Sequence, residues 1–109
     1  MAAVDGERAA EIVIDTRIDP MGVPIVILSG ELDSSNVGSL EATLGSITAR
    51  QPERLIFDLS GLRFMDSAGI AVLIRAAATV KAVYLRDPSP IVRRVVEVTG
   101  LSGVLPIEP

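Results

Sequence analysis

The 109-residue chain predicts a single α/β domain with elements in the order β-β-α-β-α-β-α-β, a mostly parallel central sheet and a β-hairpin at its start. Two apolar runs, "VPIVILS" at 23–29 and "RLIFDLS" at 54–60, read as strands covered on both faces, because neither alternates with polar residues. The segments between the strands carry apolar residues at helical spacing. Helices that join buried strands imply parallel pairing through right-handed crossovers.

Each element has its own warrant. Residues 1–10, small and charged, read as a flexible leader, with the folded domain over 11–109. "EIVIDTRI" (11–18) alternates, with Ile12, Ile14, Thr16 and Ile18 on one half-buried face. "DPMG" (19–22) is a turn, with Pro20 fixing φ and Gly22 relaxing the exit, so the first two strands form a hairpin. Ser34, Ser35 and Asn36 are N-cap candidates for a helix in which Val37, Leu40, Leu44 and Ile47 recur up to about Ala49. "QPE" ends that helix. After the strand at 54–60, Gly61 permits a turn before Asp66 and Ser67.

From Ala68, the residues Ile70, Leu73, Ile74 and Ala77 form the face of a second helix ending near Ala78 to Val80. "AVYL" (82–85) is the next strand. Ser89 caps a third helix with Pro90 at its first position, where proline is tolerated. Ile91, Val92, Val95, Val96 and Val98 face inward along it, and Gly100 closes it. "VLPI" (104–107) reads as a last short strand.

Composition narrows the chemistry. About half of the chain is hydrophobic, yet Phe57, Phe64 and Tyr84 are its only aromatic residues, so the core is aliphatic. There is neither cysteine nor histidine. That removes disulfides, thiolate nucleophiles, the usual zinc ligand sets and a Ser-His-Asp triad, and it fits a reducing compartment. A net charge of −4 opposes phosphate binding, and Arg93-Arg94 is the only adjacent basic pair. No apolar run reaches the roughly 20 residues that span a bilayer, and the small, charged residues "MAAVDGERAAE" lack the apolar segment expected of a secretory signal. A cytoplasmic domain is expected, with no membrane partner, no direct nucleic-acid partner, no cofactor and no metal.

The stretch "FMDSAGI" (64–70) sets Asp66 and Ser67 between apolar residues. Three readings are open. Ser67 at a strand-to-helix turn caps helical amides that lack partners, with Asp66 at the positive end of the helix dipole. A nucleophilic serine would need the pattern G-x-S-x-G and a base, but the run here is M-D-S-A-G and Lys81 is the only lysine. Without a Walker loop, a metal cluster or a base, an enzyme is disfavoured. A hydroxyl at an exposed helix start is also a phosphate acceptor, and the added charge of about −1.5 to −2 would change the surface while the helix holds.

Beyond these local readings, "GELDSSNVGSL", "LIFDLSGLRFMDSAGIAVLIRA" and "PSPIVRRVVEVTGL" closely resemble the STAS domain, in its bacterial anti-sigma factor antagonist branch. The order of elements matches over about Glu11 to Ile107. The resemblance implies a protein that, unphosphorylated, binds an anti-sigma factor with serine kinase activity and frees its sigma factor. Phosphorylation of the serine after M-D, here Ser67, switches it off, and a PP2C-type phosphatase resets it. The resemblance further implies a partner surface of Asp33, Ser34, Asp66, Ser67, Ala68, Gly69 and Ile70, although Asp33 also suits a turn or a cap. Ala68 stands where many relatives have a second serine, and Ala71 where a glycine is frequent. Arg93 and Arg94 read as a solvated face. A different class of function also fits: a STAS scaffold or accessory subunit, without a switch, in a stress-signalling or transport complex.

Overall fold

The computed structural model describes residues 11–108; the leader expected over residues 1–10 lies outside them. The element order is β1 (Ile12–Ile18), β2 (Pro24–Leu32), α1 (Val37–Thr48), β3 (Arg54–Met65), α2 (Ser67–Thr79), β4 (Ala82–Arg86) and α3 (Pro90–Val98). The strands form one sheet in the order β1-β2-β3-β4. β1 pairs antiparallel with β2, while β2–β3 and β3–β4 are parallel. The α/β class, the opening hairpin and the parallel centre follow the sequence expectation.

The last expected strand is a correction. "VLPI" contributes one isolated bridge, between Leu85 and Ile107. Pro106 O accepts from Leu85 N at 2.9 Å, and Glu108 N donates to Leu85 O at 2.8 Å. Pro106 has no N–H to extend a ladder, so the segment covers the outer edge of β4 at Leu85 without becoming a strand. A side-chain ion pair between Arg86 and Glu108 fastens the same place.

β3 is also longer than its apolar run. Gly61, expected in a turn, lies inside the strand. Register shifts between Ile27 and Ser29, and between Gly30 and Glu31, mark irregularities in its pairing with β2. Each shift rephases the strand, so that Leu55, Phe57, Leu59, Leu62 and Met65 are all buried despite unequal spacing. The unequal spacing is what makes the second half of β3 read as a turn.

The core gathers β2, β3, β4 and one face of every helix around Phe57. Helix faces differ from expectation in two places. In α2 the buried residues are Gly69, Val72, Leu73 and Ala76, while Ile70, Ile74 and Ala77 flank them half-buried. That helix is apolar nearly all round, so periodicity does not choose the face; small residues let its backbone come close to the sheet. In α3 only Val92 and Val96 are fully buried, and Ile91 and Val98 point to solvent. Along β1, Ile12 and Ile14 pack against the core, but Thr16 and Ile18 are exposed. No helix among the described residues is long and apolar enough to cross a membrane.

Candidate functional site

β2 and β3 run parallel and end together, with Leu32 paired to Met65. The next residue of each strand begins a loop toward a helix, which sets the β2–α1 loop beside the start of α2. Asp66 N donates to Leu32 O at 3.1 Å and holds the two exits together. Such crevices at the carboxyl ends of parallel strands are the usual place for sites in open α/β sheets. The sequence-predicted residues Asp33, Ser34, Asp66, Ser67, Ala68, Gly69 and Ile70 therefore share one end of the sheet.

The cap at α2 is Asp66, and the expectation that Ser67 caps the helix is corrected. Asp66 is extended (φ −97°, ψ −172°) and half-buried. Its Oδ1 accepts from Ala68 N at 2.9 Å and from Gly69 N at 3.1 Å. A carboxylate at the positive helix end makes stronger hydrogen bonds to these amides than a hydroxyl would. Ser67 becomes the first helical residue, is exposed, and its hydroxyl has no hydrogen-bond partner among the described residues. The site thus separates its tasks: the acid holds the helix and the hydroxyl faces outward.

The first turn of α2 is pressed onto the strand ends. A Cβ added to buried Gly69 would lie 2.7 Å from Met65 Cγ and 2.9 Å from Leu32 Cδ2. Gly69 is therefore a packing residue beneath the site, while Ala68 and Ile70 are half-buried beside it.

The neighbouring loop is tied by its own side chains. Asp33 Oδ1 accepts from Ser35 N at 2.9 Å and from Ser35 Oγ at 2.6 Å. Asn36 occupies the cap position of α1 but its side chain makes no cap bond to the helix. Its Oδ1 accepts instead from Asp33 N at 3.0 Å, and its Nδ2 donates to Glu31 O at 2.8 Å. Asp33 is half-buried and Ser34 is exposed. The loop enters by Gly30, whose φ of +104° and distance of 2.3 Å from an added Cβ to Glu11 O leave no room for a side chain.

Sequence reasoning passed over the rim of this site. Phe64, two residues before Asp66, is 46% exposed. Arg63 pairs with Glu31 at 3.8 Å, with the Arg63 side chain largely in water and that of Glu31 nearly half exposed. Phe64 read as one more apolar residue of a run, and only the register shift before it turns it outward. A separate groove of about 630 Å³ lies between β1 and the second half of α1. It contains none of the predicted site residues.

A STAS domain family model matches residues 12–109. An anti-sigma F factor antagonist of Paenibacillus polymyxa is 33% identical over 91 residues, covering 79% of this chain and 78% of that protein. The crystal structure of an anti-sigma factor antagonist from Mycobacterium paratuberculosis superposes with a TM-score of 0.83 at 29% identity, covering 91% of this chain and 86% of that one. The Bacillus cell fate determinant SpoIIAA, in its phosphorylated form, shares the fold with a TM-score of 0.70 at 22% identity, over 89% of this chain and 92% of that one. With its sheet order, its paired strand exits and an Asp-Ser step at the start of α2, the chain belongs to the STAS domain family, among relatives named anti-sigma factor antagonists.

Proposed function

We propose that this chain is a cytoplasmic anti-sigma factor antagonist that binds an anti-sigma serine kinase when unphosphorylated and is released when Ser67 is phosphorylated. It acts by binding rather than by catalysis, and a PP2C-type phosphatase restores the binding form. The observation that carries the reading is the unused, exposed hydroxyl of Ser67 beside a cap that Asp66 already supplies. A kinase can take that hydroxyl without unfolding the helix.

The consequence of phosphorylation follows from the same hydrogen bonds. Ala68 N and Gly69 N are engaged by Asp66, so a phosphate on Ser67 does not gain them without displacing the cap. It stays outward and adds about −1.5 to −2 charges next to Asp66 and near Asp33. A partner that docks over this end meets a changed charge and not a changed fold. Exposed Phe64, at the rim of this surface, supplies an apolar contact beside Asp33, Ser34, Ala68 and Ile70 for a docking partner.

Mixing the protein with its cognate anti-sigma kinase and ATP tests the acceptor. Intact mass should rise by one phosphate, and Ser67→Ala should abolish the rise. Ser35 is bound to Asp33 and Ser89 caps α3 through Val92 N, which leaves Ser34 as the exposed competitor next to the site, with Ser39, Ser46 and Ser102 exposed elsewhere. Phosphate that persists in Ser67→Ala would give the switch to another hydroxyl and refute the assignment.

A further inference from the structure

The two edges of the sheet are treated differently. The outer edge of β4 is partly covered, at Leu85, by the bridge to Ile107. β1 forms the other edge: seven residues in unbroken register with β2, without proline, lysine or a bulge. Those are usual devices that keep an edge from pairing; of the others, β1 has only the charges of Asp15 and Arg17. Its exposed side chains include Val13 at 65% and Ile18 at 60% exposure.

The direction of its backbone groups can be read from the ends of the hairpin. Glu31 N donates to Glu11 O at 2.9 Å, and Asp19 N donates to Val23 O at 3.0 Å. Hydrogen-bonded pairs alternate along an antiparallel ladder, so the odd residues of β1 bond to β2. The N–H and C=O groups of Ile12, Ile14, Thr16 and Ile18 therefore point outward.

We infer that β1 is a homodimerisation edge, pairing antiparallel with β1 of a second copy about a two-fold axis at Thr16. In that register Thr16 faces Thr16, Ile14 faces Ile18 of the second copy, and Ile18 faces its Ile14. All three are hydrogen-bonded pairs, giving about six new backbone bonds. On the opposite face Asp15 meets Arg17 of the second copy, twice by symmetry. Asp15 and Arg17 now pair only weakly with each other, at 3.6 Å and with both side chains more than half exposed. The neighbouring registers that keep the outward residues paired set Asp15 against Asp15 or Arg17 against Arg17, and like charges directly opposite destabilise a ladder. The charge pattern of "IVIDTRI" is thus self-complementary in one register and repulsive in the two beside it.

The groove beside β1 agrees with this occupant. It is lined from β1 by the whole run Ile14 to Ile18, Asp15 and Arg17 included, and by Ile47, Arg50 and Pro52 across from it. Pairing brings Ile14 and Ile18 of the second copy alongside the same face and covers the exposed Ile18. The surface lies on an edge that the Ser67 site does not use, so the inference stands independently of the proposed switch.

Sedimentation equilibrium of the full chain tests it. Wild type should sediment as a dimer, and Asp15→Arg or Arg17→Asp should each weaken the dimer by about tenfold or more. The double variant, Asp15→Arg with Arg17→Asp, should restore the affinity to within about threefold of wild type. This rescue separates the charge pairing from any folding defect in the single variants. Hydrogen exchange should show the Ile14, Thr16 and Ile18 amides slowing as protein concentration rises. A monomer at all accessible concentrations would overturn the inference, as would a dimer indifferent to the charge swaps. Protection of those three amides in a monomer would also overturn it, assigning the edge to residues 1–10.

Discussion

Asp66 satisfies both amides that a helix cap reaches, which leaves Ser67 free of structural duty. The two neighbours should therefore behave differently under mutation. Asp66→Ala should cost about 0.5–2 kcal/mol in urea unfolding, the usual loss for an N-cap. Ser67→Ala should stay within about 0.5 kcal/mol of wild type, as for surface changes away from special features. Equal losses would mean that the hydroxyl shares the cap. Asp33 can be divided in the same way. Asp33→Asn keeps an oxygen for Ser35 N and Ser35 Oγ but removes the charge. Stability should hold within about 0.5 kcal/mol, while affinity for the anti-sigma kinase should fall by about tenfold or more, or ~1.4 kcal/mol. Unchanged affinity with unchanged stability would confine Asp33 to shaping its loop. That these residues matter was legible in "GELD" and "MDS"; which oxygen takes which amide was not, because Asp and Ser rank almost equally as caps.

Among the elements, two helical glycines predict opposite outcomes. Gly45 sits in α1 with open space where a Cβ would go, so Gly45→Ala should raise stability by about 0.5–1 kcal/mol. Gly69→Ala drives a methyl into Met65 and Leu32 and should cost about 1–3 kcal/mol. Paired thermal melts read both signs at once. If Gly69→Ala were as stable as wild type, α2 would not be pressed against the strand ends as described. Strong local signals made most elements readable from sequence: the hairpin turn, the cap at Ser89 with Pro90, and the uninterrupted apolar runs of β2 and early β3. The signals failed where tertiary context decides. The second half of β3 loses its period at the register shifts, and α2 is too uniformly apolar to declare a face. α3 exposes Ile91 and Val98 although their spacing fits the buried side.

At the scale of the whole molecule, parallel strand order brings distant residues together. Asp33 and Asp66 lie far apart in sequence, yet each follows one member of the Leu32–Met65 pair. Their proximity was available from the sequence only through family resemblance, since neither composition nor periodicity specifies which strand exits are neighbours. The exposure of Phe64 was not available at all. The two parts of this arrangement have separate roles in the proposed function: the core around Phe57 holds the strand exits, and the exits carry the surface whose charge the switch changes. On the proposed function, phosphorylation of Ser67 is a change of surface electrostatics on an unchanged fold. Titration calorimetry of wild type, Ser67→Ala and Ser67→Glu against the cognate anti-sigma kinase tests that claim most directly, with thermal melts as the control. All three should melt alike; Ser67→Ala should bind within about threefold of wild type, and Ser67→Glu at least about tenfold more weakly. Equal affinity for all three proteins would put Ser67 outside the docking surface and contradict the account.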